Sequence, residues 1–264
     1  MKRTIWRVLL VVILGGGAAA YYYWRQSQPQ PVPPQPSKTE APPAPVAIAP
    51  AILHPLETNE AQPLPVLADS DAAMRDALAE LLGKKSLTEF FYPDLMIRRI
   101  VATIDNLPRK KAPVRTMPVK PVPQPFAKGG TETNMVISPG NSKRYAAYVR
   151  IAQAVDARRL VDVYIRFYPL FQRAYEELGF PKGYFNDRLV ETLDNLLDAP
   201  DIKGPIKLTQ PKVMYEFADS DLEARSAGQK IMIRMGSENA ARVKAKLREI
   251  RHEVTRSEPK LNRP

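Results

Sequence analysis

The chain has 264 residues, 27 prolines, no cysteine, two histidines and a formal net charge of +11. Without cysteine there is no disulfide framework, thiolate metal site or cysteine nucleophile, and two histidines leave a metal site to carboxylates alone, so no metal or other cofactor is expected. The excess positive charge gathers in residues 1–25, 108–130 and 237–264, which suits anionic lipid or an acidic partner and speaks against a continuous nucleic-acid groove.

MKRTIWR precedes seventeen uncharged residues, 8–24, that end in Tyr21, Tyr22, Tyr23 and Trp24 before Arg25. That is the short end of a membrane-spanning helix, and Lys2, Arg3 and Arg7 favour a cytoplasmic leading end. The expectation is a single-pass anchor in residues 1–25 of a bacterial inner membrane, with the main domain in the periplasm. A signal peptide cleaved near Ala20 is the alternative. Residues 26–65 hold twelve prolines in forty positions and read as a disordered linker, extended in polyproline II to on the order of 120 Å.

The tetrapeptide ADSD occurs at 68–71 and again at 218–221, followed each time by an arginine four residues after its second aspartate, Arg75 and Arg225. In the first copy Ser70 predicts an N-cap for a helix to Leu82, stopped by Gly83. Ser86 and Glu89 form a capping-box pattern for a helix that Pro93 divides. Beyond it Leu95, Ile97, Ile100, Val101 and Ile104 are expected to face a core, with Arg98 and Arg99 seeking Asp94 or Asp105 as partners. Residues 107–130 are basic and proline-interrupted. They read as an extended strap that either contacts anionic lipid, an acidic glycopolymer or an acidic protein face, or crosses the surface with its lysines in water.

Asn141 or Ser142 opens a helix to Val155, and Asp156 another through Leu178. In the second, Leu160, Tyr164, Phe167, Phe171, Ala174 and Leu178 make one apolar stripe, and Pro169 is expected to kink it and open a cleft. Tyr168 and Tyr175 are candidates to grip a sugar or peptide, although tyrosines at helical spacing more often pack with their hydroxyls satisfied. Asn186 is expected to cap the next helix, residues 212–217 to form a short strand, and Ser220 to cap a helix after the second ADSD. Gly228 marks a close backbone approach or a break. Asp219, Glu223, Gln229, Lys230 and Arg234 either converge on an anionic ligand or brace the domain. Ser237 opens a last helix whose seam of Ala240, Val243, Leu247, Ile250 and Val254 packs on one neighbour. Arg242, Lys244, Lys246, Arg248 and Arg251 then point outward, and 257–264 form a disordered tail.

The fold class read from these elements is mainly α: an irregular helical bundle over residues 66–256 that includes the strap, with at most a short strand or hairpin. No glycine-rich phosphate loop, dinucleotide fingerprint, nucleophile elbow or zinc-binding helix is present. The leading expectation is a non-enzymatic binding or scaffold module of the bacterial envelope, meeting an envelope protein or the cell wall. Its rivals are a hydrolase of envelope glycan with a carboxylate pair drawn from Asp105, Glu216, Asp219 and Glu223, and a binder of an anionic small molecule through Arg98, Arg99, Lys230 and Arg234.

Five blocks carry a resemblance: IRRIVATIDNLPRK, YPLFQRAYEELG, YFNDRLVETLDNLL, YEFADSDLEARSAGQK and RMGSENAARVKAKL. In this order they resemble a family of bacterial envelope proteins defined only as a domain of unknown function, over residues 64–256. The resemblance implies a Gram-negative single-pass protein with an anchor, a proline-rich linker and one helical domain that keeps the strap inside it. It implies no activity and assigns no functional residue.

Overall fold

The computed structural model describes residues 51–57 and 63–256; the expected anchor, most of the linker and the tail lie outside them. Among the described residues the order is α1 (Asp71–Leu82), α2 (Lys84–Phe90), α3 (Met96–Asn106), β1 (Lys128–Thr131), β2 (Asn134–Ile137), α4 (Ala146–Ala154) and α5 (Ala157–Glu177). Then come α6 (Phe185–Leu197), β3 (Leu208–Thr209), β4 (Glu216–Phe217), α7 (Ser220–Glu223), α8 (Ala227–Arg234) and α9 (Ser237–Arg256). The fold is mainly α, with two small antiparallel hairpins, β1–β2 and β3–β4. Among these residues no helix is long and apolar enough to cross a membrane.

The long helix α5 lies at the centre, packed by α1, α3, α6 and α9. Asp156 caps it as expected, accepting the Arg159 amide at 2.8 Å, and the helix runs on through Pro169. Its stripe buries Phe167, Phe171 and Ala174 against Met74, Ile97, Val101 and Phe185, while Leu178 is 42% exposed and falls outside the core. The last helix, α9, packs on α4, α5, α6 and α8 rather than on a single neighbour.

Both ADSD copies open helices, but neither serine hydroxyl makes a cap bond: Ser70 holds the N-cap position of α1 without one, and Ser220 is already the first residue of α7. The Ser70 backbone is already helical, and its hydroxyl donates to the Leu67 carbonyl at 2.8 Å. Asp71 instead reaches across to α3, accepting the amides of Leu95 at 2.7 Å and Met96 at 2.9 Å. A cap supplied by another helix lets α3 start directly after Leu95, which takes a left-handed φ of 55° and is 54% exposed instead of facing the core. Ser86 lies within α2, whose preceding residue is Gly83, so the expected capping box does not set that helix's start.

The strap is ordered because its prolines, lacking amides, leave carbonyls for side chains to satisfy. Arg99 donates to the carbonyls of Arg115 at 2.6 Å, Met117 at 3.3 Å and Asp94 at 3.0 Å. Arg144 holds Pro123 and Gln124, and the Tyr148 hydroxyl holds the Lys120 carbonyl at 2.9 Å. Two backbone bonds, Tyr92 to Pro118 and Lys120 to Phe90, tie it to the end of α2. The strap then enters β1, which pairs with β2 from Lys128 opposite Ile137 to Thr131 opposite Asn134. The strand expected at 212–217 shrinks to Glu216–Phe217, since Val213 and Met214 sit in the connection at 85% and 74% exposure.

Residues 51–57, inside the stretch expected to be linker, lie against the start of α6. Asp187 accepts the His54 amide at 2.7 Å and the Leu53 amide at 3.1 Å. Asn186, fully buried, donates to the His54 carbonyl at 2.8 Å and accepts the Tyr164 hydroxyl, instead of capping its own helix. The Leu56 amide donates to the Tyr184 hydroxyl at 2.9 Å, and the Leu56 side chain joins the main core.

Candidate functional site

The densest polar cluster follows from how α7 meets α8. Asp219 caps α7, its Oδ1 accepting the amides of Asp221 at 2.8 Å and Leu222 at 3.1 Å. Glu223 then stands at the end of this single turn, where Oε2 accepts the Phe217 amide at 2.9 Å and Oε1 accepts Lys230 Nζ at 2.7 Å. Burial pushes the Glu223 carboxyl up, but the bonds from Lys230 and Phe217 and the charges of Lys230 and Arg234 together outweigh it and hold the group below its ordinary value. A glycosidase acid needs the opposite, a raised pKa and a free face. Glu223 is placed as a brace.

The other candidates are similarly engaged. Gln229 is buried, donating to the Asn195 carbonyl at 2.8 Å. The Arg234 guanidinium lies 5.0 Å from the centre of the Phe217 ring, and its carbonyl accepts Asn141 Nδ2 at 2.8 Å. The break in the helix falls just before Gly228, at 224–226, while the glycine shows the close approach expected of it. It stands in the first turn of α8, its amide donates to the Leu107 carbonyl at 2.9 Å, and a Cβ there would lie 2.4 Å from Leu196 Cδ2. Asp105 is buried between two guanidiniums, Arg109 at 2.7 Å and Arg188 at 3.2 Å. Arg98 pairs with Glu177 at 2.5 Å, not with Asp94 or Asp105. The Tyr168 hydroxyl bonds Gln172 at 3.2 Å and is pushed far up by burial; Tyr175, also raised by burial, stacks on Phe180 with ring centres 4.6 Å apart. Arg98 and Arg99 sit on α3 while Lys230 and Arg234 sit on α8, each committed to a different partner. Among the described residues no three His, Asp or Glu side chains gather as a metal would require.

Open space lies elsewhere. A cavity of about 560 Å³ is bounded by β2, residues 200–206 and the α8–α9 junction, and Arg234 lines it. Two further chambers, about 350 Å³ and about 240 Å³, lie between α1 and α3 on one side and α9 on the other, over α5. None of the ten candidate residues lines either of these two, and neither does Pro169. The larger also touches the strap at Val119 and α4 at Tyr148 and Ile151. Leu78, Ile100, Leu160 and Ile250 line both, so these four side chains are what divides them. Ile100, Leu160, Leu247 and Ile250 remain half-buried even though they face other helices.

The family described as Protein of unknown function (DUF3014) matches residues 96–251. The chain belongs to the DUF3014 family. The DUF3014 match starts at the first residue of α3 and ends within α9, so it is shorter than the 64–256 expected from the five blocks, and α1 and α2 fall outside it although α1 contributes Met74 and Leu78 to the core. Neither the curated proteins nor the solved structures gave a match to the chain.

Two lysines of this DUF3014 domain are misplaced by the sequence pattern. Lys246, expected to point outward from α9, has a side chain only 13% exposed; its Nζ donates to the Val155 carbonyl at 2.8 Å and pairs with Glu249, itself 54% exposed. Lys246 lines the larger chamber with its aliphatic stem, its Nζ lying at the chamber's edge on the Val155 carbonyl. Lys244 likewise turns in, to the Ala199 carbonyl. Ile100, Leu160, Leu247 and Ile250 are legible as apolar helix positions, whereas Val119 comes from the strap and Lys246 from the face expected outward; that they meet across a gap rather than in contact has no signal in their spacing.

Proposed function

We propose that this protein is a non-enzymatic binding module of the bacterial cell envelope, anchored in the inner membrane through residues 8–24 with its N-terminus cytoplasmic and the helical body in the periplasm. The apolar run flanked by Lys2, Arg3, Arg7 and Arg25 supports the placement. The observation that carries the binding reading is the pair of apolar chambers between α1, α3 and α9, where large aliphatic side chains face open space instead of one another. Protein interiors are packed to the density of organic crystals, and concave apolar sites of a few hundred Å³ are where ligands bind. The ionisable residues proposed for chemistry or anion capture serve the body as braces and caps.

A photoreactive residue introduced at Leu247, on the chamber lining, and as a control at the exposed Val213, tests the reading in cells carrying the full chain. The expected result is a discrete adduct at Leu247 that Val213 does not give. No adduct at Leu247, or the same adducts at both positions, contradicts it. An alkaline phosphatase fused after Pro264 tests the placement separately: activity is expected, since that enzyme needs an oxidising compartment, and a silent fusion of normal abundance would reverse the orientation.

A further inference from the structure

We propose that the two chambers together take the aliphatic chain of one long-chain fatty carboxylate, with its head at Lys246. This rests on the binding reading above and names the ligand class of the same cleft. The lining is hydrocarbon almost throughout, and the tyrosine hydroxyls beside it are turned to protein partners, Tyr148 to the Lys120 carbonyl and Tyr164 to Asn186. Water or a peptide backbone inside would find no partner for its polar groups, and burying such groups unpaired is costly. A docked helix, about 10 Å across with its side chains, is too thick for chambers of about 350 Å³ and about 240 Å³. An alkyl chain needs neither polar partners nor that width.

The shared lining gives the site its length. A chain entering the larger chamber reaches the smaller by displacing the side chains of Leu78, Ile100, Leu160 and Ile250, which line both. Taking a methylene to fill about the ~30 Å³ share of a liquid water, there is room for one chain of under about twenty carbons and not for the two chains of a phospholipid. At the larger chamber Lys246 supplies the charge. Its present partner Glu249 is more than half exposed and loses little on release, so a buried carboxylate head can replace it. The strap, which touches this chamber at Val119, carries six basic and no acidic side chains over residues 108–130.

The full chain, reconstituted in vesicles of a zwitterionic choline phospholipid, is exposed to palmitate bearing a diazirine near its methyl end, irradiated, and mapped by peptide mass spectrometry. Labels are expected on peptides holding Leu78, Ile100, Leu160 or Ile250. Labels confined to peptides of residues 8–24 overturn the proposal, and this wild-type map decides the matter even where a variant does not fold. Leu160→Trp, or Ile250→Phe if the first disturbs the circular dichroism, is expected to cut chamber labelling about tenfold while leaving the anchor labelling unchanged; unchanged chamber labelling counts against the site. Lys246→Met is expected to weaken labelling several-fold for the palmitate probe and not for the matching cetyl alcohol probe; equal loss for both removes the assigned head site. Should Leu247 give a peptide adduct in cells while palmitate leaves the chambers unlabelled, the ligand class fails and the binding reading stands. Absence of both signals brings down the two together.

Discussion

Glu223 offers a direct way to tell a brace from a reacting group. Glu223→Gln keeps the shape of the side chain and removes its charge, leaving Lys230 without an anion and placing an amide donor where one of two acceptors stood. A hydrogen bond to a charged group contributes about 1.5–3 kcal/mol when buried. Here the carboxylate is 29% and the lysine 13% exposed, so solvent screening lowers the expectation to about 1–2 kcal/mol. For a body of this size about 2–4 °C is lost per kcal/mol. The pH dependence is the sharper readout. Folded Glu223 titrates below the ordinary 4.5, so its contribution is complete above that value and disappears as pH falls through the lower, folded one. Urea unfolding of the full chain, followed by circular dichroism, should show the variant less stable at neutral pH and the gap closing in acid. A cycle with Lys230→Met should return most of the loss as coupling between the two residues. A variant as stable as wild type, or a gap that persists at low pH, refutes the assignment.

Other perturbations probe the body at its less obvious joints. Asp71→Ala removes the cap that α1 lends to α3 and should cost about 1–2 kcal/mol, with loss of hydrogen-exchange protection at the Leu95 and Met96 amides; protection unchanged there would place the cap elsewhere. Gly228→Ala gains about 1 kcal/mol of helix propensity but drives a methyl against Leu196 and the Leu107 carbonyl. Overpacking costs about 1–3 kcal/mol, so the net change should be destabilising in a denaturant titration, and a stabilised variant would show that the α6–α8 contact yields freely. Asp187→Ala should loosen residues 51–57 and make the chain around Leu53 a new site of limited proteolysis, whereas an unaltered digestion pattern would mean that Asn186, Tyr184 and the buried Leu56 side chain hold the segment without Asp187.

Helical periodicity makes the bundle legible in the sequence. The α5 stripe and the α9 seam announce core helices, Asp156 sits where an N-cap belongs, and Gly228 signals a tight approach by costing helix propensity that packing must return. What spacing cannot carry is the identity of a partner outside the segment. Both ADSD copies look like serine caps, yet the structure uses Asp71 to cap another helix and Asp219 to cap its own, because the neighbouring amides decide which oxygen is used. Arg98 was matched to nearby carboxylates and finds Glu177, far along the chain. Leu56 reaches the core from a proline-rich text because three polar side chains at the start of α6 satisfy the backbone of His54 and of Leu56 itself. The chambers were invisible for a related reason: an apolar face is encoded locally, but the distance at which two such faces stop is set by every other contact in the bundle.

Nuclear magnetic resonance of the full chain in lipid nanodiscs, with labelled isoleucine and leucine methyls and carbon-labelled palmitate, addresses the cleft itself. Cross-relaxation from the palmitate methylenes to the Ile100, Ile250, Leu78 and Leu160 methyls is the expected result. Contacts limited to methyls of the apolar segment at 8–24, with those four unaffected by the ligand, would contradict it.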